Sequence, residues 1–156
     1  MHFTTYTAAE TEGLAGELAR ARPRDARELT VLYLQGDLGT GKTTFARGFL
    51  RALGETEPVR SPSYTLFDLH ELGDLTVLHI DLYRLREEGE LESLGLRDWA
   101  RPGALWLIEW PDRARKRLPQ ADLKLAFTVS PPAHEIDLTA GTAFGRVWLQ
   151  AFSAPG

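Results

Sequence analysis

The run Gly36-Asp37-Leu38-Gly39-Thr40-Gly41-Lys42-Thr43 restricts this chain more than any other feature. It matches the phosphate-loop pattern G-x-x-x-x-G-K-[ST] at every fixed position. At average residue usage such a match arises by chance in under about 1% of chains this long. The chemistry explains the residue types. Glycines accept positive φ and carry no side chain, so successive backbone N–H groups converge on phosphate oxygens. A helix beginning at the Lys-Thr pair aims its free N–H groups and positive dipole end at the same anion. Lys42 adds a full charge for the outer phosphates, and the Thr43 hydroxyl is placed to ligate Mg²⁺. Against this stands a glycine-rich strand–helix turn with no ligand.

Such a loop needs a buried strand before it and a helix after it. Residues 29–34 are a continuous, partly β-branched apolar run, the pattern of a parallel strand covered on both faces. Residues 43–53 carry Phe45, Ala46, Phe49 and Leu50 on one face, and Gly54 stops that helix. Upstream, Thr7-Ala8-Ala9-Glu10 reads as a capping box that opens a helix through Leu14, Ala15 and Leu18, closed by Pro23. Downstream, 64–69 and 75–80 read as extended runs joined by a hairpin at Glu71-Leu72-Gly73-Asp74. Residues 86–99 look helical, and 104–108 form another buried strand, with Pro111 at the first position of a short helix. Residues 123–129 and 135–139 are late strands, and Phe144, Val147, Trp148 and Ala151 fall at helical spacing. The expected fold is α/β, a P-loop NTPase-like three-layer sandwich with a mixed, mainly parallel sheet, in a single domain over residues 1–156.

A phosphate loop also needs a carboxylate for the metal, usually where a neighbouring strand ends at the ligand crevice. Asp81 and Glu109 both end apolar strands, so both are candidate catalytic residues. One would hold Mg²⁺ while the other orients the attacking water, and position alone does not assign the roles. Ser61-Pro62-Ser63-Tyr64-Thr65 is either a γ-phosphate sensor or a turn into a strand. Trp110 either stacks on a ligand or fills the core. His70, His79 and His134 show no metal-ligand spacing. No N-K-x-D or T-K-x-D guanine-reading sequence is present, which favours ATP over GTP.

Composition narrows the class further. Cysteine is absent, which removes disulfides, zinc-thiolate sites and cysteine nucleophiles and suits a reducing cytosol. The start of the sequence does not read as a secretory signal, and no apolar stretch approaches the ~20 residues of a membrane span. The expected location is cytoplasmic. A net charge of -4 disfavours autonomous nucleic-acid binding. The one basic run, Arg113-Ala114-Arg115-Lys116-Arg117, reads as the solvated face of a short helix.

Four segments taken together resemble one family. They are the phosphate loop with its continuation Thr44-Phe45-Ala46-Arg47-Gly48; Ser61-Pro62-Ser63-Tyr64-Thr65-Leu66; His79-Ile80-Asp81-Leu82-Tyr83-Arg84-Leu85; and Ile108-Glu109-Trp110-Pro111. In this order they are similar to TsaE, the bacterial ATPase of tRNA threonylcarbamoyladenosine (t6A) formation, over roughly residues 7–141. The resemblance implies a weak, partner-dependent ATPase using ATP and Mg²⁺. It implies action on the TsaB–TsaD complex, which takes the threonylcarbamoyl group from the adenylate made by TsaC and which TsaE resets between turnovers. It makes Thr43 and Glu109 the Mg²⁺ ligands, with Asp81 supporting the metal or its water. It assigns Gly36 to Thr44 and Trp110 to the nucleotide, and Thr7 and Thr11 to the adenine side. The chain departs from the family where His134 stands near the last strand in place of the usual Arg, and residues 145–156 match poorly. Two competing readings are a small-molecule kinase with Arg84 and Arg86 in a lid, and a nucleotide-gated binding module in which hydrolysis is incidental.

Overall fold

The computed structural model describes residues 1–24 and 29–153. In chain order the elements are β1 (His2–Thr5), α1 (Ala8–Arg20), β2 (Leu29–Gln35), α2 (Lys42–Ala52), β3 (Phe67–Leu72), β4 (Leu75–Asp81), α3 (Glu90–Ser93), β5 (Ala104–Glu109), β6 (Leu123–Ser130), β7 (Ala133–Ala140) and α4 (Ala143–Ser153). Among the described residues seven strands make one sheet in the order β1-β7-β6-β2-β5-β4-β3. The sheet is mixed. Its parallel pairings, β6 with β2, β2 with β5 and β5 with β4, form the centre. The three antiparallel pairings lie outside them.

The centre is parallel because its strands are apolar on both faces. All six residues of β5 are buried, as are five of the seven in β2. One face carries Leu32, Leu34, Val77, Leu105 and Leu107 and packs under α1, α2 and α4. The other carries Val31, Tyr33, Leu78, Ile80, Trp106 and Ile108 and is closed by α3, 3₁₀ turns and loops. β6, in contrast, alternates buried and exposed along most of its length, as an antiparallel strand with one wet face does.

Helices α1 and α2 meet almost backbone to backbone. A Cβ at Gly48 would lie 2.4 Å from the Glu12 carbonyl oxygen, so no other residue fits there without moving a helix. Glu12 then pairs with Arg47 and Arg51, each at 3.4 Å. Thr7 caps α1 as anticipated, accepting from the Glu10 N–H at 3.1 Å, while the Glu10 carboxylate reaches the N–H of Tyr6.

Several local expectations are corrected. β1 was not anticipated: His-Phe-Thr-Thr carries no apolar run, and the strand exists because β7 pairs with it. Residues 64–66 are not extended, since Leu66 sits at φ 70° and the strand starts only at Phe67. The hairpin turn is Gly73-Asp74 alone, with Leu72 and Leu75 paired. Residues 86–99 do not form one helix: Gly95, left-handed at φ 69°, separates the single turn of α3 from a 3₁₀ turn at Leu96–Trp99. Pro111 does begin a short 3₁₀ turn, Pro111–Arg113, and the basic run continues into a second at Arg115–Arg117 with Ala114 buried beneath. In α4 the apolar face is Phe144, Trp148, Leu149 and Phe152, while Val147 and Ala151 point outward. Residues 154–156, the end of the segment that matches the family poorly, lie outside the described residues.

Candidate functional site

The centre of the sheet fixes where chemistry can occur. β2, β4 and β5 run parallel, so their C-terminal ends lie together, and the loop after β2 crosses that edge to start α2. A cleft of about 470 Å³ opens there. Leu38 to Thr44, Asp81, Glu109 and Trp110 line it, and Thr7 and Thr11 join them from α1. Two residues expected at the ligand do not line it. Gly36 is needed for packing: a Cβ there would lie 2.5 Å from the Phe127 carbonyl oxygen. Asp37 is exposed, and it is its backbone carbonyl that serves the loop, accepting from Thr40 Oγ1 at 2.7 Å and from Lys42 Nζ at 3.1 Å.

Lys42 folds back over the loop, donating also to the Gly36 carbonyl, with its ammonium 3.9 Å from the centre of the Trp110 ring. Burial pushes its pKa down from the usual lysine range, and the carboxylates of Glu109, Asp81 and Asp37 act in the opposite direction. Trp110 holds this place because its backbone is left-handed, at φ 60° and ψ 48°, a conformation uncommon outside glycine. The chain therefore turns sharply at the end of β5. The indole rests between Lys42 and Tyr83, whose ring lies 5.0 Å away. Trp110, open between ligand and core on its residues alone and assigned to the nucleotide by the resemblance, is a half-buried side chain in the cleft wall.

The two carboxylates are neighbours in register, Asp81 on β4 opposite Glu109 on β5, and both are buried. Buried carboxylates need donors, and each has its own set. Asp81 accepts from the Ser61 hydroxyl and from the Tyr83 N–H at 2.9 Å. Glu109 accepts from Thr43 Oγ1, at 3.0 and 3.1 Å to its two oxygens, and from His79 Nε2 at 2.6 Å. Ser61 and Ser63 thus belong to the cleft and not merely to a turn. Arg84 lines it too, over the Tyr64 ring at 4.2 Å, whereas Arg86 is not among its lining residues.

Two other cleft residues carry no sign of the site in the sequence. Tyr6 and Ala8 come with β1 and the start of α1. His134, at the start of β7, reaches the P-loop with Nδ1 3.0 Å from the Thr40 carbonyl oxygen, donating to it. Metal-ligand spacing gives His79 no role. Its place two residues before Asp81 on one strand face was the available sign that it shares the carboxylate side of the sheet. Among the described residues no three His, Cys, Asp or Glu side chains form a metal cage. Mg²⁺ does not need one, since it is commonly bound by one or two protein oxygens plus phosphates and water.

A family profile described as "Threonylcarbamoyl adenosine biosynthesis protein TsaE" matches residues 5–135. Among similar proteins, the tRNA threonylcarbamoyladenosine biosynthesis protein TsaE of Haemophilus influenzae is 40% identical over 123 residues, spanning 79% of this chain and 78% of the relative. The protein of the same description from Bacillus subtilis is 36% identical over 142 residues, spanning 90% and 85%. The crystal structure of Bacillus subtilis YdiB superposes with a TM-score of 0.80 at 30% identity, covering 98% of this chain and 93% of that one.

Proposed function

The chain belongs to the TsaE family, with its part in t6A biosynthesis, and from that premise we propose that it binds ATP with Mg²⁺ in the cleft and hydrolyses it slowly. In this reading the protein acts in the cytosol on the TsaB–TsaD complex, resetting it between rounds of tRNA modification. The observation that carries the nucleotide reading is the Thr43–Glu109 contact at the start of α2, beside the ammonium of Lys42.

The donor set suits the cofactor. A threonine hydroxyl and carboxylates are hard oxygen ligands of the kind Mg²⁺ prefers. Thr43 and Glu109 would hold the ion, with Asp81 in support, and bound Mg²⁺ supplies charge neutralisation at the phosphate oxygens. The chain's own residues do the rest. Lys42 exchanges its carbonyl partners for the outer phosphates. The N–H groups of the loop and of the first turn of α2 receive the remaining oxygens. Asp81, fixed by Ser61 and the Tyr83 N–H, orients water against the terminal phosphate. Thr7 and Thr11 bound the adenine side of the cleft, and Trp110 lies against Lys42 near the nucleotide.

The test is multiple-turnover threonylcarbamoylation of tRNA by the partner enzymes, with and without this chain and ATP. Modification is expected to stall after its first turnover without the chain and to cycle with it, and Lys42→Ala should fail to restore cycling. Equal cycling in the absence of the chain would remove the resetting role and leave an ATP-binding protein in search of another target.

A further inference from the structure

His79 is wholly buried in the middle of the sheet, next to Leu78 and Ile80. The one hydrogen bond of its side chain among the described residues runs from Nε2 to Glu109 Oε2. The carboxylate can only accept, so Nε2 carries the proton; Nδ1 meets no partner. An apolar side chain would pack at this position without leaving a buried nitrogen unsatisfied. The imidazole is therefore best explained by what it does to Glu109.

Glu109 is gripped from two sides. Thr43 approaches from α2 and touches both carboxylate oxygens, whereas His79 approaches from β4 and touches only Oε2. Thr43 also opens α2 at the phosphate loop and is committed to any ligand bound there. His79 lies outside the cleft lining, so its contact with Glu109 is not one that a group in the cleft would replace directly. We infer that His79 is the positioning residue of the site: its Nε2–H ties one oxygen of Glu109 to β4 and leaves Oε1 to face the ligand. This inference rests on the ATP–Mg²⁺ reading of the cleft. Outer partners that hold a metal-binding group in place typically contribute about 10–100-fold to metal affinity or activity.

The test compares two amides of different reach. In His79→Gln the side-chain nitrogen lies near the position of Nε2 and still donates to Glu109; in His79→Asn it falls short. ATP affinity is measured calorimetrically for the full chain with Mg²⁺ and with chelator, giving the gain in affinity due to the metal, alongside kcat and KM. His79→Asn is expected to cut that gain and kcat by about tenfold while leaving metal-free ATP affinity near wild type, and His79→Gln to retain most of both. In a Glu109→Gln background, His79→Asn should cost little more. Equal behaviour of the two amides, or an undiminished loss in the Glu109→Gln background, would overturn the role of His79 with the ATP site intact. A wild-type chain whose ATP binding gains nothing from Mg²⁺ would overturn the reading of the cleft and the role of His79 with it.

Discussion

The parallel centre of the sheet and its antiparallel wing reach the same cleft, but they are held in different ways. In the centre, β2, β4 and β5 are buried on both faces, and Lys42, His79, Asp81 and Glu109 sit inside that packing. In the wing, β1 is a four-residue edge strand attached to β7. Its outer contacts are exposed: the His2 ring lies 2.7 Å from both Asp137 and Glu135, and Thr4 also reaches Glu135. Through β1 and β7 the wing delivers Tyr6, Thr7 and His134 to the rim. The groups suited to phosphate and metal thus stand on the part of the fold with the least freedom, and the rim depends on contacts that solvent screens.

Three measurements test that contrast. The largest effect is expected for Lys42→Ala in the centre. Losing a charged donor aimed at phosphates should weaken ATP binding by about a hundredfold, within the 1.5–3 kcal/mol of a hydrogen bond to a charged group. Calorimetry checks this, and unchanged affinity would remove the phosphate site. In the wing, His134→Ala frees one backbone carbonyl of the loop, and about 1 kcal/mol, or roughly fivefold, is expected in the same titration. If His134→Ala matched Lys42→Ala, the wing would have to be counted as part of the phosphate site. The smallest effect belongs to His2. Hydrogen bonds to Asp137 and Glu135 raise its pKa above the ordinary 6.5. Its contribution to stability is therefore complete below that value and is lost as pH rises through the higher folded-state pKa. His2→Gln should flatten the melting temperature against pH in that window, and a slope that persists in the variant would place the titration elsewhere.

The same contrast governs what could be read in advance. The centre was legible because a strand buried on both faces announces itself as an apolar run, and because Asp81 and Glu109 each close such a run at the end that faces the cleft. β1 was not legible, since its strand character comes from a partner more than a hundred residues away and not from its own four side chains. Residues 86–99 have the composition of a helix, but Gly95 adopts a backbone that ends one. Trp110 is open on its residues alone and placed only by the resemblance, because its direction depends on a left-handed φ that its sequence neighbours do not require. His79 escapes a reading by ligand spacing, which compares residues along the chain, because its partner lies on the adjacent strand.

Position 48 carries a consequence for any survey of mutational tolerance in this protein. Gly48 takes no part in the cleft, yet the Glu12 backbone occupies the space of its side chain. Every substitution there has to push apart the helix that begins at Ala8 and the helix that begins at Lys42. A saturation library selected for the protein's activity would therefore show 48 as closed to change as the phosphate loop, and an alignment of survivors would group it with the active residues. Separating the two classes requires a second assay that scores abundance apart from activity: variants at 48 should disappear from the soluble fraction, whereas those at 42 should remain in it and be inert.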